Sequence, residues 1–391
     1  MELDSINPYV LKVMPSAMRK FDHDISSDPK IIKLTLGEPN FNVPDHIKQA
    51  AIDAINHNES HYPYYWGYQP LREAASTYYQ AKFGYHYSAD QILVTVGATE
   101  AVASAVKTLF KPGDAVIIPT PAYPLYNALT TLNELNTILV DTSDDGFILT
   151  PAKVNQAIAD HPDWDVKGLI LTDPNNPTGV AYTEEQINAL APVLKKNGIW
   201  VISDEIYGEL TYGQKHYSIS KVLPDQTVVI NGLSKSHAMT GYRLGLVFGP
   251  SGFIDEIAKV HQYTVTAAAS IVQYAAIEAL THGQDDSKPM LKEYQKRRDF
   301  VAKEMAEAGF GVVHPGGAFY VFAKIPADLQ MNSWDFVNTL AKEYHIGLMP
   351  GDPFGDNEYV RISYAASDEA LAAAMKAVKQ LVADHSAQTT E

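Results

Sequence analysis

From residue 90 onward, apolar runs of four or five residues recur at 92–96, 115–118, 137–140, 168–171, 199–202, 227–230 and 244–248. Near-continuous apolar runs of that length read as strands buried on both faces. Apolar residues at helical spacing occupy 98–110, 123–132, 151–159 and 184–196, between most of those runs. Strands alternating with helices predict an α/β fold whose large domain holds a mainly parallel, seven-stranded sheet covered on both sides. Two long helical stretches follow, at 254–280 and 290–308. The grammar then changes. Strands are predicted at 310–313, 318–322, 346–349 and 359–364, separated by helices at 333–344 and 368–383, which is an α+β pattern.

Residues 1–30 read as an N-terminal arm, with short helical pieces at 7–11 and 14–21 whose apolar positions need an outside surface to cover them. A short strand at 31–36 ends at Gly37-Glu38-Pro39-Asn40-Phe41, and 44–56 and 71–83 have helical spacing. Between those two helices lies His61-Tyr62-Pro63-Tyr64-Tyr65-Trp66-Gly67-Tyr68-Gln69-Pro70, with five aromatics in seven residues. Proline and glycine prevent a regular element there, so the rings must pack against a core, a ligand or a second subunit. The predicted organisation is an arm at 1–30, a small α+β domain from 31–44 and 285–391, and a large α/β domain at 45–284.

At 391 residues the chain has length for two domains. Its 46 acidic against 30 basic residues, a net charge of −16, argue against nucleic acid or an anionic membrane as partner. No apolar run approaches the roughly 20 residues of a membrane span. Met1-Glu2-Leu3-Asp4 lacks the basic start and apolar core of a signal peptide. The absence of cysteine excludes disulfides, thiolate metal sites and cysteine nucleophiles, and a cytoplasmic location is expected. His57 and His61 are four apart, but Glu59 is not placed as in a zinc-protease helix. No metal site is therefore expected, and the histidines read as surface or loop residues.

The candidate chemistry gathers just after predicted strands, where open α/β sheets bind ligands. Val228-Val229-Ile230-Asn231-Gly232-Leu233-Ser234-Lys235 puts Lys235 at the mouth of a buried strand. Desolvation there disfavours an ammonium, and a neutral amine is the nucleophile that forms a Schiff base with an aldehyde cofactor. A solvated loop lysine is the plain alternative. Gly97-Ala98-Thr99 opens a helix, offering free N–H groups and a positive dipole end to a phosphate; a glycine turn with a threonine cap also fits. The prolines of Pro174-Asn175-Asn176-Pro177 hold Asn176 in one orientation, so that its amide can donate into a cleft; an ordinary proline-rich turn fits equally well. Asp204, two residues past an apolar run, needs a cation or several donors if buried. A pyridinium nitrogen or a helix start would each satisfy it, and Tyr207 can turn its phenol toward the same ligand. Arg243, eight residues beyond Lys235, suits bidentate phosphate binding. Arg361 sits mid-strand in Tyr359-Val360-Arg361-Ile362-Ser363 and needs a carboxylate, either structural or from a substrate.

In order and spacing, Asn176-Pro177-Thr178-Gly179, Asp204-Glu205-Ile206-Tyr207, Ser234-Lys235 with Arg243, and Arg361 resemble the fold-type I, class I/II aminotransferases that use pyridoxal 5′-phosphate. The resemblance runs over almost the whole chain. It implies that Lys235 holds the cofactor covalently and then shuttles a proton between the substrate Cα and cofactor C4′. It implies that Asp204 pairs with the pyridinium nitrogen, keeping the ring an electron sink. Tyr207 and Asn176 are then expected to hydrogen-bond the ring O3′, and Tyr123 to stack on the ring face. Ala98, Thr99, Ser234 and Arg243, beside Gly97, are expected around the phosphate, with Tyr62 reaching in from a second subunit. Arg361 and the Gly37 backbone, with Asn176 near them, are expected to grip the substrate α-carboxylate. One departure stands out: many relatives carry serine three residues before the lysine, where this chain has Gly232, so one phosphate donor is missing or supplied elsewhere. An active site shared between subunits gives the arm and the aromatic loop a purpose, so a homodimer is expected.

Residues 226–243 and 259–263 look like the bacterial branch that contains aromatic amino-acid and N-acetyl-L,L-diaminopimelate aminotransferases. The expected reaction is ping-pong transamination from such an L-amino acid to a 2-oxo acid such as 2-oxoglutarate. Tyr64, Tyr65 and Trp66 are candidates to line an aromatic side-chain pocket or to pack at a dimer interface. A C–S β-lyase on the same fold shares the lysine, aspartate and arginine and is the main rival. A non-catalytic, pyridoxal phosphate-binding regulatory module is disfavoured by the acidic charge and by the lack of length for a DNA-binding domain.

Overall fold

The computed structural model describes residues 5–388; residues 1–4, whose sequence was read above for a leader pattern, and 389–391 lie outside them. Two short helices, α1 (Pro8–Lys12) and α2 (Ala17–Ile25), precede strand β1 (Ile32–Lys33), and α3 (Asp45–Asn56) and α4 (Gln69–Phe83) flank the aromatic loop. The alternation begins with β2 (Ile92–Thr95), α5 (Gly97–Leu109), β3 (Ala115–Thr120), α6 (Leu125–Leu132) and β4 (Asn136–Asp141). It continues through α7 (Pro151–Ala159), β5 (Val166–Thr172), α8 (Glu184–Lys196), β6 (Trp200–Asp204), β7 (Thr227–Gly232) and β8 (Gly245–Phe248).

These seven strands form one sheet in the order β2-β8-β7-β6-β5-β3-β4. Neighbours are parallel except that β8 runs against both β2 and β7. Side chains alternate between the two faces with the two-residue period of a strand. Ile170, Ile202 and Ile230 pack with Val102 and Ala105 of α5, whereas Leu169 and Val201 pack with Leu190 and Leu194 of α8. Burial on both faces is why the strands were legible as apolar runs.

Beyond the sheet come α9 (Ser251–Val265), α10 (Ser270–His282), α11 (Ser287–Glu307), β9 (Gly311–Val312) and β10 (Tyr320–Lys324). The chain ends with α12 (Ser333–Tyr344), β11 (Ile346–Gly347), β12 (Met349–Pro350), β13 (Tyr359–Ser363) and α13 (Asp368–Gln388). An antiparallel sheet β12-β13-β10-β9 carries Arg361 at its middle, opposite Phe322 on one side and Met349 on the other. Strand β1 pairs in parallel with β11, Ile32 against Ile346, which delivers the residues after β1 to the same end of the molecule. Phe21 and Ile25, four apart on α2, bury into this second core, and Phe21 meets Trp334 edge-on at 5.8 Å. Among the described residues no helix is long and apolar enough to cross a membrane.

Four expectations are corrected. The helical stretch 254–280 is two helices, broken at Thr266, whose φ of 70° is left-handed. The break turns α10 toward the aromatic loop, where Ser270 Oγ donates to the His61 carbonyl at 2.6 Å and Gln273 Oε1 accepts from Tyr68 N at 2.7 Å. The strand expected at 346–349 is split between two sheets at Leu348, and only two residues of 31–36 pair as a strand. The histidines are not all peripheral, since His216, His237 and His261 are buried.

Candidate active site

A cavity of about 460 Å³ opens where β5, β6 and β7 end, with Tyr320, Met349 and Arg361 of the antiparallel sheet contributing to its wall. Parallel register sets Thr172 beside Asp204, and Asp204 beside Ile230. No helix begins after Asp204, which removes the capping alternative. Instead the Tyr126 phenol donates to Asp204 Oδ2 at 2.8 Å while accepting from Thr172 Oγ1 at 2.8 Å. Ile206 N adds a bond to Oδ1 at 3.3 Å. Burial still wins over these donors and pushes the Asp204 carboxyl up to about 6. Such a group gains if a cation sits against it.

Lys235 stands three residues past β7, and its Nζ donates to the Gly37 carbonyl at 2.6 Å. The Tyr207 and Phe319 rings lie 5.7 and 5.9 Å from it. Burial brings its amine down to about 8; the nearby charges of Glu38 and Asp204 oppose the shift, and those of Arg243 and Arg361 reinforce it. A useful fraction of the amine is therefore neutral close to physiological pH.

Arg361 is only 4% exposed and has no carboxylate partner among the described residues. Its Nη1 donates to Asn176 Oδ1 at 2.9 Å and its Nη2 to the Thr35 carbonyl at 2.6 Å, while Nε has no partner among the described residues. The guanidinium lies over the Tyr320 ring at 4.4 Å. A buried cation with an unused donor is a site for an anionic ligand. Because the Asn176 carbonyl oxygen is engaged by Arg361, its amide NH₂ remains to donate elsewhere. The Tyr207 hydroxyl bonds the Tyr320 hydroxyl at 2.8 Å.

Helix α5 starts at Gly97, whose φ of 77° is left-handed. A Cβ at that position would lie 2.5 Å from Arg243 Nη2, so glycine is what lets the guanidinium close over the helix start. The acid in the first turn, Glu100, is turned away, accepting from Val96 N and His261 Nδ1 at 3.0 Å each. Gly232 is likewise explained, because a side chain there would press on the Leu244 carbonyl at 2.9 Å. Behind Asp204, the fully buried Glu205 accepts from His216 Nε2 at 2.5 Å, from the Ser203 and Ser218 hydroxyls at 2.7 Å each, and from the Tyr85 hydroxyl. Burial works to raise its pKa, but the His216 charge and these donors outweigh it and hold Glu205 below the usual range.

Gly37, Ala98, Thr99, Tyr123, Asn176, Asp204, Tyr207, Ser234, Lys235, Arg243 and Arg361 all line this one cavity, and Gly97 backs it through Arg243. Tyr62 does not reach it and is 90% exposed. Tyr64, Tyr65 and Trp66 do not line it either; Trp66 is buried against the α5 face of the sheet. Sequence reasoning missed Met18, Arg19, Tyr126, Tyr320 and Met349, which also line the cavity. Tyr126 alone had a signal, three residues after Tyr123 at the start of α6. The donors fit a phosphorylated pyridine aldehyde: a basic cup, a buried carboxylate and a low-pKa lysine.

A family model described as aminotransferase class I and II matches residues 29–378. The probable N-acetyl-LL-diaminopimelate aminotransferase of Bacillus subtilis is 42% identical over 94% of this chain and 93% of its own length. Among solved structures, the aspartate aminotransferase from Thermus thermophilus with maleate superposes with a TM-score of 0.91 at 30% identity, covering 97% of this chain and all of the other. The aromatic aminotransferase from Pyrococcus horikoshii does so at 0.87 and 33% identity, covering 93% and 99%. With fold, cavity and sequence in agreement over nearly the full length, the chain belongs to the class I and II aminotransferases.

Proposed function

We propose that this aminotransferase holds pyridoxal 5′-phosphate in the cavity and moves the amino group of an aromatic L-amino acid or of N-acetyl-diaminopimelate to a 2-oxo acid such as 2-oxoglutarate. The observation that carries the reading is one cavity containing a lysine amine lowered to about 8 and a buried carboxylate raised to about 6. When bound, the cofactor supplies an aldehyde carbon and a protonated ring that accepts electron density from the substrate Cα. Lys235 provides the amine for that carbon and then takes and returns the proton at the substrate Cα. Asp204, steadied by Tyr126, keeps the proton on the ring nitrogen. Tyr207 and the Asn176 amide donate to the ring hydroxyl, and Tyr123 covers the ring face. Arg243, Ser234 and the α5 start at Gly97, Ala98 and Thr99 hold the phosphate. Arg361 and the Gly37 backbone orient the α-carboxylate.

The second subunit belongs to the same reading. Tyr62, Tyr64, Tyr263 and Met14 leave large apolar surface exposed on the single chain. A homodimer covers such surface and brings Tyr62 to the partner's phosphate cup. We place the enzyme in the cytoplasm, in keeping with a chain that has no cysteine. The small α+β domain is taken as 31–44 with 285–391, and the large one as 45–284. An amino-donor panel with 2-oxoglutarate as acceptor, including Phe, Tyr, Asp and N-acetyl-diaminopimelate, tests the reaction and its donor. Acceptor-dependent turnover is expected. Release of pyruvate and ammonia without acceptor would replace transamination by β-elimination.

A further inference from the structure

We propose that His216 is a positioning residue for the cofactor ring: bridging Glu205 and Asp173 outside the cavity, it ties together the two strand ends that carry Asp204 and Asn176. The proposal rests on the cofactor reading above and adds to it what keeps the ring's two polar partners in register.

Glu205, His216 and Asp173 are buried ionisable groups that none of the steps above uses. Their side chains are 0%, 1% and 2% exposed, and none of the three lines the cavity. His216 Nε2 meets Glu205 Oε2 at 2.5 Å, and its Nδ1 faces Asp173 Oδ2 at 3.5 Å. Neither Nδ1 nor that Oδ2 has a hydrogen-bond partner among the described residues. An imidazolium donates from both nitrogens and serves both carboxylates, whereas the neutral ring has one donor and serves one. Burial opposes the His216 charge, but the Glu205 and Asp173 carboxylates outweigh both burial and the Lys221 charge, and the pKa rises. Burial pushes Asp173 up to about 6, against the His216 charge and the Tyr182 N–H, which leaves it ionised at neutral pH. Ion pairs this deep are a weak source of stability compared with apolar packing. What this one supplies is geometry.

Each carboxylate sits on a segment that carries a cavity residue. Glu205 directly follows Asp204; its amide donates to the Ile230 carbonyl at 2.8 Å, and its carboxylate is pinned by the Ser203 and Ser218 hydroxyls. The next residue, Ile206, supplies the backbone N–H on Asp204 Oδ1. Asp173 opens the loop that holds Asn176. Its Oδ1 accepts from Tyr182 N at 3.0 Å, which closes that loop, and its N donates to the Asp204 carbonyl at 3.1 Å. Three residues on, Asn176 Oδ1 accepts from Arg361 Nη1, so the amide NH₂ is left for the ring. The loop bearing His216 grips Glu205 twice, through His216 and through Ser218, and the second imidazole nitrogen reaches across to Asp173. Without the imidazolium, two buried like charges push the Asn176 loop away from the end of β6. The partners of the ring nitrogen and the ring hydroxyl then lose their common spacing. The phosphate cup stands on α5 and on the residues after β7, which the bridge does not touch.

The test uses the full chain freed of cofactor and two probes, pyridoxamine 5′-phosphate and inorganic phosphate. The first presents the ring nitrogen, ring hydroxyl and phosphate but forms no bond to Lys235; the second reads the phosphate cup alone. Both are titrated by calorimetry near neutral pH into wild type, His216→Gln and Asp173→Asn. His216→Gln is expected to weaken pyridoxamine phosphate at least about tenfold while phosphate changes by less than about twofold. The ultraviolet band of bound pyridoxamine phosphate, which reports the ionisation of its ring nitrogen and hydroxyl, should move toward that of the free compound. Asp173→Asn keeps an acceptor for Tyr182 N but removes the charge facing Nδ1, and is expected to weaken pyridoxamine phosphate about fivefold. A His216→Gln affinity within about twofold of wild type, or an equal loss for both probes, would overturn the proposal. Should that variant fail to fold, Asp173→Asn decides, and an affinity indistinguishable from wild type overturns it. A wild-type protein that binds phosphate but not pyridoxamine phosphate would refute the cofactor reading itself, and the positioning role with it.

Discussion

Replacing Asp204 with asparagine is expected to stabilise the cofactor-free protein at neutral pH while removing most of its activity. Burial raises this carboxyl from 3.8 to about 6, a shift of about two units, and each unit is worth about 1.4 kcal/mol. The sign follows from proton binding. Between about pH 4 and 6 the folded chain keeps a proton that the unfolded chain has released, so stability falls as pH rises through that window. Above pH 6 the ionised carboxylate costs about 3 kcal/mol relative to its neutral form. Asparagine carries no charge to lose, and its carbonyl can still accept from the Tyr126 phenol, which stands 2.8 Å from Asp204. Urea unfolding of cofactor-free wild type and Asp204→Asn across pH 4 to 8 reads the difference directly. The variant should gain through pH 4 to 6 and level off about 3 kcal/mol more stable. Pyridoxal phosphate should then stabilise the wild type more than the variant, and kcat/KM of the variant should fall at least about 100-fold. A pH-independent stability difference, or a variant less stable at pH 8, would refute the claim that Asp204 is a buried charge awaiting a cation.

Tyr126→Phe removes a charge-assisted hydrogen bond worth about 1.5–3 kcal/mol and leaves only the Ile206 N contact at 3.3 Å on Asp204. Its acid-side limb of kcat/KM against pH should move upward by about one unit; an unmoved limb would show that the phenol does not hold the carboxylate. Arg361→Lys keeps the charge but loses the fork, so kcat/KM for amino acids should drop about 100-fold while the absorption spectrum of the loaded enzyme stays; an unaffected kcat/KM would reject the clamp. His46 lies between Glu278 and Asp286, at 2.8 Å from each; burial lowers its pKa, but these carboxylates outweigh it and raise the value above 6.5. Its contribution is fully present below pH 6.5 and is lost as pH rises through the folded value. His46→Gln should therefore destabilise by no more than about 1 kcal/mol near pH 6 and by less near pH 9, and a cost that grows with pH would contradict the pairing.

The large sheet was legible because strands buried on both faces leave unbroken apolar runs, and Ile170, Ile202 and Ile230 mark it plainly. Lys235, Asp204, Asn176 and Arg361 were legible because each follows or interrupts such a run with a group that burial penalises. The break at Thr266 was not, since Ala267, Ala268 and Ala269 continue a helical composition and only the hydrogen bonds from α10 to the aromatic loop demand the turn. The Tyr126 and Tyr320 contacts to Asp204 and Tyr207 were hidden for another reason. They join residues 78 and 113 positions apart, and single-sequence periodicity carries no information on that scale. His216 does lie in a loop, but its burial was not legible, because its partner Glu205 is 11 residues away and no periodicity joins them.

Everything proposed for the cavity depends on Lys235 being the residue to which the cofactor becomes covalently joined. Loading the protein with pyridoxal phosphate, reducing it with borohydride and mapping the peptides tests this most directly. One pyridoxyl group per chain is expected, on Lys235, with no such label in Lys235→Ala. A label on another lysine, or a protein that takes up no label, would contradict it.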